Sequence, residues 1–161
     1  MLMDFLVRQK IPPGLRIMDV GCGWGLLGTY CAKKLGADVT SVDSDPEVFP
    51  FLDLHAEINK VEITTMKRGL GGLTVGDLRG FDVLVGADVC FWDNLALTLK
   101  RLINRALRAG VRMLLIADPG RQPFCDLGEY YSKTRGVESL KWGIRSPRKM
   151  EGRILKIGSF S

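Results

Sequence analysis

The chain has 161 residues, 46% hydrophobic and 25% charged, with 23 Lys and Arg against 18 Asp and Glu. That length and balance fit one globular unit, residues 1–161, with a real core, and exclude a disordered or fibrous chain. No apolar run approaches the roughly 20 residues needed to cross a bilayer, and Cys22, Cys31, Cys90 and Cys125, with no C-x-x-C spacing, favour reduced thiols over a disulfide frame.

Residues 1–12 read as a short helix, with acidic Asp4 and no cleavage-site pattern, so no secretory signal is expected and a cytoplasmic location is. Residues 15–20 then supply a strand, with Leu15, Ile17 and Val20 as its apolar content, that breaks abruptly into Gly21, Gly23 and Gly25. Glycine there lets the backbone turn sharply and lets a bulky ligand approach it. Residues 24–35 follow with helical spacing of Leu26, Leu27, Tyr30, Cys31 and Leu35. A second strand, 38–42, ends at Asp43, about 20 positions after the first glycine, as does the ribose-binding acid of a βαβ nucleoside site.

The run Gly23-Trp24-Gly25-Leu26-Leu27-Gly28 also fits the G-x-G-x-x-G fingerprint of nicotinamide and flavin enzymes. The strand, however, meets Gly21, and in that register Leu26 takes the third-glycine position, so the spacing reads G-x-G-x-G. Asp19, two residues before the first glycine, suits a cationic ligand better than a pyrophosphate.

Further along, Asp45-Pro46-Glu47 starts a helix that runs to Asn59. Strands are expected at 61–66, 82–86 and 112–117, with a glycine-rich loop around a short helix at 68–80. A helix from Asp93 to about Leu107, stopped by Gly110, turns Leu99, Leu102, Ile103, Ala106 and Leu107 toward a sheet. Its other face, with Arg101, Arg105, Arg108 and Arg112, reads as a solvated row; a nucleic-acid surface is the less favoured alternative. After Gly136, strand-like runs at 137–144 and 153–160, linked through 146–149, form an antiparallel hairpin. The alternation predicts an α/β fold: a doubly wound, mostly parallel sheet with helices on both faces. His55 is the only histidine, on a helix flank, so no metal site is expected.

With Asp19 before G-x-G-x-G and Asp43 ending the second strand, the chain resembles the seven-strand, Rossmann-like S-adenosylmethionine-dependent methyltransferases. The resemblance continues through residues 82–92, which look like the fourth strand and its functional end, and through Asp118-Pro119-Gly120-Arg121 after the fifth. That last motif is similar to bacterial predicted nicotinamide N-methylases, which resemble seven-strand protein lysine methyltransferases. It implies methyl transfer from S-adenosylmethionine, leaving S-adenosylhomocysteine, to a nitrogen of a small molecule or protein side chain. Asp19 would lie near the methionine amino group, Gly21, Cys22, Gly23, Trp24 and Gly25 along the methionine and ribose, and Asp43 with Ser44 at the ribose.

Asp88 would line the methionine end, Asp88 or Asp93 would orient the acceptor nitrogen or take its proton, and Trp92 would form one wall. Each also has a plainer role: Asp88 as a turn residue, Asp93 as a helix cap, Trp92 as core, and Asp118 with Arg121 as a strand-terminal turn. A non-catalytic cofactor- or nucleic-acid-binding module on the same fold is the alternative function. Two departures from relatives stand out. Met66-Lys67-Arg68-Gly69 lies where many carry an adenine-binding acid, and the helical stretch before the first strand is short, as in a minimal form or a chain whose start is missing.

Overall fold

The structure, a computed structural model, describes every residue except 135, 146–148 and 161, and of Asp93 only the backbone. Five parallel strands form its centre: β1 (Arg16–Val20), β2 (Asp38–Asp43), β3 (Thr64–Lys67), β4 (Val83–Ala87) and β5 (Met113–Asp118). An antiparallel pair, β6 (Val137–Ile144) and β7 (Met150–Gly158), completes a sheet ordered β3-β2-β1-β4-β5-β7-β6. The order reverses beside β1, so the crevice beyond the carboxyl ends of β1 and β4 is where such a sheet offers a ligand site.

Helices cover both faces, as expected: α1 (Leu2–Val7), α2 (Leu26–Leu35), α3 (Phe49–Asn59), α4 (Val75–Leu78), α5 (Asp93–Ala109) and α6 (Gln122–Ser132). Strand periodicity divides the core in two. Met18, Val20, Leu84, Leu114, Ile116, Leu155 and Ile157 pack beneath α5 and α6, against Leu99, Leu102, Ile103, Phe124 and Leu127. Ile17, Val83, Val85, Met113, Leu115 and Ile154 face the other way, onto Leu2, Phe5 and Leu6 of α1 and Leu27 and Cys31 of α2. All six residues of β5 are buried, as a central strand covered on both faces must be.

Several expected boundaries move. The helix expected from residue 24 begins at Leu26, because Gly25 still holds the turn in the left-handed region. Asp45 caps as expected, accepting from Glu47 N at 3.0 Å, but the turn Pro46–Val48 is a 3-10 helix before α3 begins. The third strand starts at Thr64, where Thr40 of β2 gives it a partner. The last strand occupies Met150–Gly158 instead of 153–160, because Met150 pairs Ile144 across the hairpin. The linking residues 146–148 lie outside the described residues.

Leu107, expected toward the sheet, is 44% exposed. Arg112 does not extend the arginine row, since Gly110 ends α5 with φ of 89° and Arg112 instead lies by Asp82 at 4.0 Å. Arg105 turns inward to donate to Leu70 O at 2.8 Å, which leaves Arg101 and Arg108 exposed on that face. Cys22, Cys31 and Cys125 are free thiols. Among the described residues no helix is long and apolar enough to cross a membrane.

Candidate functional site

At the carboxyl edge of the sheet, a cleft of about 440 Å³ opens between the β1, β2 and β4 ends and the loop after β3. Gly21 and Gly23 floor it, Asp43 and Ser44 flank it, and Asp88, Val89 and Phe91 form its far side. Gly21, Gly23 and Gly25 have φ of 63°, 51° and 74°, so the turn expected between strand and helix is present.

Asp43 holds this turn in place. Its Oδ2 accepts from Gly23 N at 2.9 Å and its Oδ1 from Asp45 N at 3.1 Å. Each carboxylate oxygen therefore keeps a second acceptor site for a hydroxyl donor in the cleft. A Cβ on Gly23 would meet nothing within 4 Å, so that backbone faces open space.

Gly25 has a different task. A Cβ there would lie 2.4 Å from Leu52 Cγ, so its smallness admits α3 against the turn and does not serve the cleft. Gly28, the last glycine of the discounted G-x-G-x-x-G reading, likewise sits where a Cβ would meet Ser41 Oγ at 2.6 Å and Asp19 Oδ2 at 3.1 Å. That fingerprint match marks close helix–strand packing.

Asp19 is 1% exposed and accepts from Gly28 N at 2.9 Å. Burial pushes its carboxyl up from 3.8 to about 7, against the Gly28 hydrogen bond, with the Asp43 charge adding to the rise. With Cys22 and Trp24 it lines a neighbouring cleft of about 370 Å³ under Met3. Burial, with Asp19 and Asp43 adding their charges, also pushes the Cys22 thiol up to about 12, so it is no nucleophile near neutral pH. Trp24 stacks on Phe51 at 5.0 Å, and its carbonyl lies 2.7 Å from His55 Nδ1, a contact not foreseen for the histidine.

At the β4 end, Asp88 adopts a left-handed φ of 61°. The conformation is uncommon for a non-glycine residue. It is held by its N–H donating to Ala117 O at 2.8 Å and by an ion pair with Arg121. Arg121 Nη1 also donates to Asp118 Oδ2 at 2.9 Å, and its guanidinium lies over the Phe91 ring at 4.8 Å. Asp118, wholly buried in its side chain, accepts further from Gly120 N at 2.8 Å and Arg121 N at 2.7 Å. The terminal-turn role of Asp118 and Arg121 is thus real, and it clamps Asp88 as well. Sequence reasoning missed Phe91, which lines the cleft, while its neighbour Trp92 is 70% exposed. Trp92 is therefore not core. Asp93 opens α5, and its side chain lies outside the described residues. At the position where the resemblance leads one to expect an acid, Arg68, Gly69, Leu70 and Gly71 line the cleft.

A strand–glycine turn–helix unit with its acid on the next strand, set in a 3-2-1-4-5-7-6 sheet, is the architecture of class I, Rossmann-like S-adenosylmethionine-dependent methyltransferases. Solved structures share it: the human methyltransferase 10 domain containing protein matches with a TM-score of 0.72 and 16% identity, over 99% of this chain and 79% of that one. The TehB-like SAM-dependent methyltransferase from Corynebacterium glutamicum matches with a TM-score of 0.65 and 21% identity, over 98% of this chain and 87% of that one. The family model Methyltransferase small domain matches residues 1–84, and the chain belongs to that family.

Curated relatives include the ubiquinone biosynthesis O-methyltransferase of Xanthomonas campestris pv. campestris, 33% identical over 82 residues, or 51% of this chain and 34% of the relative. The protein of the same name from Cereibacter sphaeroides is 40% identical over 76 residues, or 47% of this chain and 30% of the relative. The chain's matched part thus spans about a third of the length of these relatives.

The residues present fit S-adenosylmethionine. Asp43 keeps acceptor capacity for hydroxyl donors, Gly23 presents open backbone, and Asp88 places a carboxylate at the cleft's far side.

Proposed function

We propose that this chain binds S-adenosylmethionine in the Gly21–Asp43–Asp88 cleft and directs its methyl group to a nitrogen of a small molecule or protein side chain. The observation that carries the reading is the doubly anchored Asp43, fixed by Gly23 N and Asp45 N with acceptor capacity left over. When bound, the cofactor supplies the electrophilic methyl carbon and departs as S-adenosylhomocysteine.

The chain's own residues then bind and orient. Asp43 and Ser44 fix the sugar end, and the backbone of Gly21 and Gly23 lies along the methionine portion. Asp88 is side-chain accessible and clamped from behind by Arg121, so it presents a carboxylate in one orientation to hold or take a proton from an acceptor nitrogen. Asp88 and Asp118 share one guanidinium there, with Asp118 wholly buried, so Asp88 is the accessible carboxylate of the pair and favours an amine acceptor. Phe91 gives the acceptor an aromatic wall, with Trp92 exposed beside it. Holding reactants in line supplies roughly 7–11 kcal/mol of the barrier reduction and requires no nucleophilic side chain.

Isothermal titration with S-adenosylhomocysteine tests the reading. Saturable binding is expected in the wild type and a loss of at least tenfold in Asp43→Ala; an unbound ligand, or equal affinity in the variant, overturns it. A tritiated-methyl screen against protein, RNA and metabolite fractions identifies the acceptor class, with label in an amine-bearing fraction the expected result.

A further inference from the structure

We infer that a second cleft, between the β5 end and the β6–β7 hairpin, binds a dianionic phosphate group through Lys141 and Arg153 and so anchors the methyl acceptor. The anchoring role rests on the methyltransferase reading; the phosphate site itself does not.

Three of the clefts at the carboxyl edge of the sheet share lining residues in series. The Gly21–Asp43 cleft ends at Asp88, and Asp88 also lines a middle cleft of about 200 Å³, walled by Met3, Leu27, Ala87, Pro119 and Met150. Pro119 in turn borders an outer cleft of about 360 Å³ with Gly120, Lys141, Trp142, Glu151 and Arg153. An acceptor whose reacting atom lies by Asp88 would extend past an apolar, methionine-rich middle to reach the hairpin.

The outer cleft carries an unbalanced charge. Lys141 and Arg153 are paired directly across β6 and β7, and like charges at opposed positions destabilise a strand pair. Neither forms an ion pair among the described residues. Glu138 is engaged by Lys156 at 2.8 Å, and Glu151 by Lys149 at 3.6 Å. Arg121, just beyond Pro119, is committed to Asp88 and Asp118.

Lys141 and Arg153, with Glu151 beside them engaged by the exposed Lys149, leave this cleft net positive, which suits a phosphomonoester carrying about −1.5 to −2 charge near neutral pH. Arginine adds a planar fork for paired phosphate oxygens and lysine a point charge beside it. A carboxylate supplies only one charge.

The test follows the backbone amides of Gly120, Gly143 and Gly152 in the ¹⁵N-labelled full chain during titration with phenyl phosphate, with benzoate as the single-charge comparison. Saturable shifts at these glycines are expected, at least tenfold weaker with benzoate and at least tenfold weaker in Lys141→Gln/Arg153→Gln. The double variant should melt no lower than wild type, since it loses a repulsion, and should keep its S-adenosylhomocysteine response at Gly21 and Gly23. Unsaturable shifts, equal affinity for benzoate, or undiminished binding in the double variant would overturn the site. Phosphate binding without S-adenosylhomocysteine binding would uphold the site and sink the methyltransferase reading; the reverse pattern would sink the site alone.

Discussion

Asp19 and Asp43 end up in opposite environments although both close a strand beside the same turn. Asp43 opens to the main cleft, whereas Asp19 is almost wholly buried at the wall of the neighbouring one and carries a carboxyl pushed up to about 7 from 3.8. Between those two values the folded chain holds a proton that the unfolded chain has released. Stability from this group is therefore greatest in acid, falls as pH rises through the window, and levels off above about 7. Asp19→Asn removes the titration while an amide oxygen can still accept from Gly28 N. Relative to wild type, the variant should gain roughly 3 kcal/mol between pH 4.5 and 7.5, one pKa unit being about 1.4 kcal/mol. Urea denaturation at the two pH values measures this; parallel curves for the two proteins would refute the protonation of Asp19. The sequence placed both acids at strand ends but could not assign these environments, because burial depends on which helix lies over each strand. The same limit explains the two aromatics after β4. Spacing alone does not single out Phe91, which lines the cleft, from the more exposed Trp92, because the chain turns at Asp88 in a left-handed conformation that no periodicity signals.

Elements were legible wherever apolar content met a hard stop. The strand before Gly21, the acid-terminated second strand and the helix stopped at Gly110 all fall within a few residues of the reading. Ends set by neighbours were not legible: β3 and β7 take their bounds from residues paired with them across the sheet. Helix α6 was never delimited in sequence. Gly128 interrupts its middle, and its place depends on Phe124, Leu127 and Tyr131 packing into the α5-side core. The glycine turn shows how one motif serves several neighbours, because Gly23 faces open space, Gly21 makes room for Val89 and Gly25 admits α3. Gly25→Ala should therefore destabilise the chain by about 2–4 kcal/mol, combining left-handed strain with overpacking onto Leu52. Chemical denaturation reads the loss. Measured against Leu52→Ala alone, Gly25→Ala/Leu52→Ala should lose only the left-handed part, and no loss there would show that this conformation contributes no strain.

Both halves of the chain enter both cores. One core joins Met18 of β1 to Ile157 of β7, and the other joins Leu2 of α1 to Ile154 of β7. Trp142 of β6 reinforces the second by donating to Asp4 of α1 at 2.9 Å and meeting Phe5 edge-on at 4.9 Å. Melting followed by near-ultraviolet and far-ultraviolet circular dichroism should accordingly give one superimposable transition, and two separated midpoints would refute this coupling. Strand β7 adds a constraint of another kind, because it enters the sheet between β5 and β6 although it follows both in the chain. During synthesis, then, the fully buried and mostly apolar β5 must wait with an open edge while α6, β6 and the connecting residues leave the ribosome. Premature β5–β6 pairing would have to come apart before β7 could slide in, which makes this gap the point where a nascent chain most needs a chaperone.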